Sequence, residues 1–454
     1  MDTIRILLQR PAFYAALILA SRWPTVHWYA ARMQDGSDEP WGVLALLCAI
    51  GFALPHLFST KIDHVRAWGC ATCLALLWLA GSHLTPLLHA ALIAGALASL
   101  LAPRAFWVGH TGLVFLSLPL ISSLQFYGGY PLRWMIGKAS ALLLSAFGQS
   151  VETVGTVMRW QGEMIVIDAP CSGVRMLWSS LFFACLLACM RKLDPWRSIK
   201  LLQLAGATAF VANVARNCLL FYIESGLVET GKWAHSAIGI VVFAGALAVI
   251  GIFAKRQSKA SQPIEKRPAK PETRFRKTPT IVLSCLCAAL ALKGAGNKEL
   301  LFEGRVIANE LSTEINQDLL LEGWYPLPFD DSTLRFAQSF PGSIMTYERG
   351  NRRLVVRVIN RATRRYHLSV DCYRAIGYAI KPMTPLLKTD GTLWGRIRAT
   401  RDGQEVEVRE RVTSTDGQTW TDPSSWFWSA MLARSQGPWV AYSESIIESA
   451  KRPE

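Results

Sequence analysis

The sequence predicts an α-helical polytopic membrane protein of about eight or nine transmembrane helices, followed by a C-terminal β-rich or α+β extracytoplasmic domain. The first observation is composition: hydrophobic residues make up 51% of the 454 residues and the mean hydropathy is +0.24, too apolar for an ordinary soluble domain. The second is placement, because the apolar residues are concentrated before position 296. The third is a change of periodicity near Leu300, where short alternating segments replace long apolar runs.

Long apolar windows justify the membrane helices, since a helix needs about 20 apolar residues to cross a hydrocarbon core of about 30 Å. Such windows cover residues 11–30, 41–59, 67–84, 87–102, 105–124, 172–190, 198–222, 234–253 and 279–295; windows 11–30, 87–102 and 279–295 are marginal. The predicted domains are a membrane core over 1–254, a basic cytoplasmic linker over 255–278, a further transmembrane helix over 279–295 and the β-rich domain over 296–454.

Basic residues predict the orientation, because short loops rich in lysine and arginine stay in the cytoplasm. The residues with this placement are Lys61, Arg66, Arg104, Arg191, Lys192, Arg197, Lys200 and the segment 255–277, together with Arg5 and Arg10 near the N-terminus. Acidic loops at 35–39 and at 224–229 then lie outside, as does the β-rich domain. A cleaved signal peptide is the alternative for residues 1–30, but Arg22 and Arg32 interrupt the apolar region and no small-x-small cleavage site follows, so a membrane anchor is favoured.

The net charge of +15 raises the question of nucleic-acid binding. The densest basic stretch, 255–277, is also rich in Pro, Ser and Gln and lies between two apolar spans, which is typical of a cytoplasmic linker. We therefore expect anionic membrane lipids, and no nucleic acid, to be the partners of this charge. No cofactor and no metal ion is expected.

Two alternating segments predict strands in the C-terminal region, at 353–359 and 405–412. Turn signals separate such segments at Asp390-Gly, Asp402-Gly and Asp416-Gly. No fixed-period repeat is visible, so the sequence does not favour a solenoid or a propeller.

Polar residues at the outer ends of three consecutive spans are the candidates for chemistry. The stretch Asp168-Ala-Pro-Cys171-Ser172-Gly-Val-Arg175 leads into the window 172–190, so Cys171 lies at a helix N-terminus, whose unpaired N–H groups and dipole favour a thiolate. Arg175, four residues on, would share a helix face with it. The next span holds Asn213-Val-Ala-Arg216, with Arg216 about 9 Å from the outer end. The following span begins with His235, and Gly239 lies one turn below.

Each candidate has a plainer interpretation. A charged residue within a span usually faces a polar cavity or a partner, so Arg216 is either functional or part of an ion pair with Asp168 or Glu224. Cys171 differs from the cysteines inside spans because Pro170, Ser172 and Gly173 surround it with turn and cap residues. His235 alone would be an interfacial histidine.

Another cysteine pair has redox-motif spacing, Cys70-x-x-Cys73. Its position inside an apolar span predicts packing rather than chemistry.

Together the three residues predict thiol acyl transfer. Cys171 would attack a peptide carbonyl, His235 would take and return protons, and Arg216 would stabilise the oxyanion or bind a substrate carboxylate, with Arg175 as the lower-ranked alternative. The polar residues gather at one outer face rather than at the midplane, which argues against a transporter.

The blocks Pro-Cys171-Ser-Gly-Val-Arg175, Asn213-x-x-Arg216 and His235-x-x-x-Gly239, in this order on successive helices, resemble the signature blocks of the exosortase/archaeosortase transpeptidases. Tyr130-Pro-Leu-Arg133 and the stretch to about Gly148 resemble the segment before the cysteine block. The resemblance covers most of residues 100–253. It implies a Cys–Arg–His site that cleaves C-terminal sorting signals of exported proteins, typically of PEP-CTERM type, and transfers the new carboxyl end to an acceptor.

The tail is similar to a second family. His367-Leu-Ser-Val-Asp-Cys372-Tyr-Arg-Ala375-Ile-Gly-Tyr378 resembles the His-x4-Cys-Tyr-x-Gly-x-Gly-Trp block of the periplasmic exopolysaccharide-associated domain that accompanies exosortases, although Ala375 replaces the first glycine and Tyr378 the tryptophan. Cys372 has no other cysteine in its domain with which to form a disulfide. It is either a second reactive thiol paired with His367 or a buried cysteine near a strand end.

The resemblance further implies the inner membrane of a Gram-negative bacterium, with the active site and the C-terminal domain facing the periplasm. Exopolysaccharide-assembly proteins or a glycolipid acceptor are the further partners it suggests. The alternative function is a non-catalytic membrane subunit for exopolysaccharide export or assembly.

Overall fold

The computed structural model describes residues 10–34, 41–57, 62, 64–81, 84–154, 157–165, 173–231, 233–259, 278–293, 305–329, 337, 340–366, 368–389 and 391–448. Its helices before the C-terminal region are α1 (Pro11–Ser21), α2 (Trp23–Gln34), α3 (Trp41–Leu57), α4 (His64–Ala80), α5 (Pro86–Leu101), α6 (Trp107–Leu116), α7 (Ile121–Ala146), α8 (Val174–Met190), α9 (Pro195–Glu224), α10 (Trp233–Lys259) and α11 (Thr278–Lys293). A short antiparallel sheet, β1 (Glu152–Val154), β2 (Val157–Trp160) and β3 (Glu163–Ile165), separates α7 from α8.

The C-terminal region combines helices with a larger antiparallel sheet. Its elements are α12 (Arg305–Leu321), β4 (Tyr325–Pro326), β5 (Gly342–Arg349), β6 (Arg352–Ile359), α13 (Ser369–Ala375), β7 (Ala379–Leu387), β8 (Leu393–Arg401), β9 (Gln404–Ser414), β10 (Thr419–Trp420), α14 (Pro423–Met431) and β11 (Trp439–Glu448). The strand order is β4-β5-β6-β11-β9-β8-β7, and β10 pairs with β9. The predicted strands at 353–359 and 405–412 are confirmed as β6 and β9.

Helix length and composition identify the candidate membrane spans. Among the described residues, α9 and α10 are long and apolar enough to cross a membrane, and a third span results if the bent pair Arg104–Leu116 and Ile121–Ala146 counts as one. Five shorter apolar helices are α1, α3, α4, α5 and α8. The count of eight or nine spans stays a prediction.

Two predicted windows are not single straight helices. The window 105–124 is divided between α6, which ends at Leu116, and the start of α7, and the two helices are bent by 97° relative to each other. The window 11–30 is divided at Arg22, whose backbone (φ −121°, ψ 34°) ends α1. There the guanidinium Nη2 donates to the carbonyl oxygen of Leu290 at 2.9 Å, which gives a buried charge an acceptor at the end of α11.

Packing divides the chain into two compact units. One contains Met1–Ser122, Arg175–Arg216 and Gly231–Glu299, and the other contains Ser123–Val174, Asn217–Thr230 and Leu300–Glu454. These units group segments by contact rather than by chain order, so the predicted domain limits of 254, 278 and 295 stay predictions.

The first unit has an apolar cluster that joins α1, α4, α5 and α11, and a close contact between α6 and α8. Tyr14 and Ile18 of α1 pack with residues of α4, α5 and α11, including Cys70 and the half-buried Cys73, so the interpretation of this cysteine pair as packing is confirmed. Elsewhere α6 approaches α8 closely at Gly109, where a Cβ would lie 2.9 Å from Cβ of Ala188. Small residues allow this approach because no side chain separates the two backbones.

In the second unit, successive side chains of each strand point to opposite faces of the large sheet, and both faces carry buried residues. Leu354 and Val356 of β6 pack on one face with α12. Ile359, on the opposite face, packs with Trp426 of α14, and Phe126 of α7 joins this second cluster. Phe126 therefore brings α7, which the sequence did not predict as part of this domain, into contact with its core.

The hairpin between β8 and β9 confirms the turn signal at Asp402-Gly403. Both residues have positive φ, 50° and 78°, as a two-residue type I′ turn requires. Gly417, with φ 85°, likewise lies in the turn between β9 and β10.

Candidate active site

Three helices of the first unit carry most of the predicted site. Met176 of α8, Ala209 and Ala212 of α9, and Ala246 of α10 form one buried cluster. A second cluster joins the same helices toward their opposite ends, including Ala188, Leu201 and Ile250. The chain therefore runs antiparallel from α8 to α9 to α10, which brings Arg175, Arg216 and His235 to the same end of this helix group.

Arg216 lies against the helix that bears His235. A Cβ built on Gly239 would be 3.5 Å from Cζ and Nη2 of Arg216 and 3.6 Å from Nε, so the guanidinium rests on the glycine surface of α10. Gly239 is four residues after His235, about 6 Å along the helix. Arg216 therefore contacts α10 about one helical turn from His235.

The guanidinium of Arg216 is only partly buried, but its Nε is fully enclosed. Among the residues that the structure describes, no hydrogen-bond acceptor reaches this Nε. Because the residue as a whole is only partly buried, the rest of its guanidinium can donate to an anionic or carbonyl ligand. The predicted ion-pair partner Asp168 lies outside the described residues, and that alternative stays open.

The other supporting residues have contrasting surroundings. Asn213, one turn before Arg216, is 1% exposed. Arg175 is half-buried in the first turn of α8. His235 is half-buried in the first turn of α10. Cys171, Ser172 and Asp168 lie outside the described residues.

The start of α8 corrects one part of the sequence argument. Gly173 has φ 74°, so it cannot be a turn of right-handed helix, and α8 begins at Val174. Cys171 and Arg175 are therefore not one turn apart on a continuous helix, and the prediction that they share a helix face is wrong. In sequence, Cys171 precedes the first residue of α8 by three positions.

The family comparison settles what these blocks belong to. The model of the transmembrane exosortase family matches residues 10–252, more than half of the chain and the whole region that holds the three blocks. The chain belongs to the transmembrane exosortase family. Exosortases are membrane sorting transpeptidases, generally of the cysteine type, that act on exported proteins with sorting signals. No curated protein and no solved structure matches the chain.

In this exosortase, Cys372 lies on α13 of the second unit and is exposed. The alternative that it is a buried cysteine near a strand end is therefore wrong. It borders an open cavity of about 400 Å³, together with Tyr373, Tyr378 and Arg353. Burial raises the pKa of Tyr373, and its hydroxyl donates to Oγ of Ser445 at 3.0 Å. His367 lies outside the described residues, so its predicted pairing with Cys372 stays a prediction.

A carboxylate that sequence analysis missed anchors α13. Glu410 is 4% exposed, and its Oε1 accepts from the amide and the hydroxyl of Ser369 at 2.9 and 2.7 Å and from the hydroxyl of Ser443 at 2.9 Å. The signal was available: in β9, Glu410 shares its face with the buried Val408 and Val412, and a carboxylate on the apolar face of a strand requires donors.

Proposed function

We propose that this exosortase cleaves C-terminal sorting signals of PEP-CTERM type by a cysteine mechanism. Cys171 is the nucleophile, His235 the general acid and base, and Arg216 the group that binds the oxyanion. The observation that carries the proposal is the position of the Arg216 guanidinium on Gly239, one turn from His235, in the helix group that α8 enters directly after the Cys171 segment.

The reaction has two acyl-transfer steps. The Cys171 thiolate attacks the carbonyl carbon of the scissile peptide bond, and the oxyanion that forms is bound by Arg216 and by N–H groups at the start of α8. As the C–N bond breaks, His235 gives a proton to the leaving amine, and the substrate remains as a thioester on Cys171. An acceptor then attacks the thioester, His235 takes the proton of the acceptor, and the C–S bond breaks to restore the thiolate.

The remaining residues support this machinery in the proposal. Asn213 and Arg175 line the same end of the helix group, while Ser172 and Asp168 flank the nucleophile in sequence. We place the enzyme in the inner membrane, with the reactive end and the C-terminal domain facing the periplasm. The acceptor is a glycolipid or an exopolysaccharide-assembly component, and hydrolysis by water is the competing outcome.

The test is processing of a co-expressed reporter that ends in a tripartite sorting signal. Cys171→Ala and His235→Ala are expected to abolish cleavage, and Arg216→Ala to lower it about 10²-fold to 10³-fold, as loss of an oxyanion donor does. Matched controls are Cys285→Ala, an exposed thiol on α11, and Arg197→Ala, at the opposite end of α9. Membrane levels are measured for every variant.

A thioester intermediate provides a second readout. The wild-type protein is expected to form some thioester that hydroxylamine releases, whereas Cys171→Ala, which lacks the thiol, and His235→Ala, which cannot protonate the leaving amine, are not. Unchanged cleavage in Cys171→Ala would exclude the thiol mechanism and favour the non-catalytic assembly subunit. Cleavage that depends instead on Cys372, tested as Cys372→Ala, would move the chemistry to the proposed second site with His367.

A further inference from the structure

Pro131 lies inside α7, where it changes the hydrogen bonding of the helix. Proline has no N–H, so the carbonyl four residues earlier, that of Tyr127, loses its partner within the helix. The indole Nε1 of Trp428, on α14, donates to this carbonyl oxygen at 2.6 Å. One residue before the proline, the amide of Tyr130 donates to Oγ of Ser424 at 3.1 Å.

An ion pair extends the same contact by one turn of α7. Arg133 pairs with Oδ2 of Asp422, and the side chains are 17% and 22% exposed. Asp422 is also the N-cap of α14, because its Oδ1 accepts from the amides of Ser424 and Ser425 at 2.7 and 3.2 Å. One oxygen of this carboxylate therefore caps α14, and the other pairs with Arg133 of α7.

Aromatic and polar contacts continue toward the start of α7. The rings of Phe126 and Tyr127 meet Phe427 edge-on, with centroids 5.1 and 5.4 Å apart. Arg364 donates to Oγ of Ser123 at 2.5 Å. We call these contacts, from Ser123 to Arg133 on α7, the α7 seam.

The seam is more specific than a hydrophobic contact would be. Its centre combines a carbonyl freed by proline, an amide and a guanidinium, and each has one partner on or next to α14. Apolar residues could hold two elements together as strongly, whereas matched polar groups select one register. From the seam, α7 and then β1–β3 lead along the chain to the Cys171 segment.

We propose that the α7 seam is a positioning device: the C-terminal domain holds α7 in one register, and sorting-signal cleavage requires this docking. Arg133, Asp422 and Trp428 are positioning residues in this scheme. The inference rests on the proposed function for its catalytic readout, while the docking itself is measured separately.

The experiment uses the full chain in nanodiscs. Asp422→Asn is the sharpest variant, because asparagine still caps α14 but carries no charge for Arg133. Arg133→Gln, the double variant and Trp428→Phe complete the set. Arg401→Gln, which breaks an exposed pair with Asp402, is the matched control. Hydrogen exchange of residues 123–133 reports docking, and kcat and KM for reporter cleavage report positioning.

Each single variant is expected to speed exchange of residues 123–133 at least about tenfold and to lower kcat about tenfold, with KM changed less than about twofold. The double variant should be no worse than either single one, because the two residues share one interaction. Arg133→Lys should restore part of kcat, which a general loss of folding would not allow.

Three results would decide against the proposal. Unchanged exchange in Asp422→Asn and Arg133→Gln would overturn docking, and faster exchange with unchanged kcat would overturn positioning. Additive losses in the double variant would show that the two residues do not act together. If Cys171→Ala also leaves cleavage unchanged, the proposed cysteine mechanism is excluded. Hydrogen exchange of residues 123–133 then still shows whether the α7 seam holds α7.

Discussion

Substitution at Gly239 tests whether the Arg216 guanidinium must rest on α10. A Cβ at this position would lie 3.5 Å from Cζ and Nη2 of Arg216, which is ordinary van der Waals contact. Gly239→Ala should therefore leave the guanidinium in place, and alanine is about 1 kcal/mol more favourable than glycine in a helix. We expect cleavage within about twofold of wild type.

Gly239→Val should behave differently. Valine adds two methyl groups about 1.5 Å beyond Cβ, and in a helix its branched side chain has one strongly preferred rotamer, so both methyls cannot turn away. Overpacking of this kind costs about 1–3 kcal/mol. If the cost falls on the position of Arg216 in the transition state, the rate of cleavage falls about fivefold to 150-fold.

The control lies on the same helix. A Cβ at Gly245 would meet nothing within 4 Å, so Gly245→Val makes the same change in helix propensity without contact with Arg216. The assay is the initial rate of reporter cleavage by purified protein in nanodiscs, beside thermal unfolding of each variant. Equal rates for Gly239→Val and Gly245→Val would refute the reasoning.

Three further predictions concern stability, measured by thermal unfolding of the full chain in nanodiscs. Burial raises the pKa of Glu407, but hydrogen bonds and charges from two arginines outweigh it and hold the pKa below its usual range. The stability that Glu407→Gln loses should therefore be complete at neutral pH and should shrink as pH falls below about 4. A loss that stays constant with pH would contradict this. Glu410→Ala should cost about 3–5 kcal/mol because it removes three hydrogen bonds to a charged acceptor, and a loss below about 1 kcal/mol would contradict the anchoring of Ser369. Gly109→Leu should cost about 1–3 kcal/mol by separating α6 from α8, whereas Gly51→Leu, with nothing within 4 Å of a Cβ, is the control that should be near neutral.

Much of the local structure followed from short-range patterns. Every predicted apolar window contains helix, and the strands around Arg353 and Glu405 appear where alternation predicts them. The turn at Asp402-Gly403 also follows from sequence, because few residues adopt positive φ at two successive positions. These features depend on neighbours along the chain, so one sequence contains the information they require.

Two predicted helical stretches are interrupted by backbone conformation. The window 105–124 bends between Leu116 and Ile121, where Ser117 and Pro119 lie, because hydropathy measures the length of an apolar window but not its direction. Gly173 separates Cys171 from α8 by its positive φ, which a glycine permits but does not require.

The sequence by itself determined the family, the helical core, the β-rich domain and the candidates Cys171, Arg216 and His235, because composition, periodicity and ordered motifs are properties of the chain. Only the tertiary structure decided that Arg216 rests on Gly239 and that α7 packs with the C-terminal domain. The tertiary structure also decided that Asp422, the N-cap of α14, forms an ion pair with α7. The physical reason is that these contacts join residues far apart in the chain. Their partners are selected by the space and the unpaired polar groups that packing leaves, which no local pattern specifies.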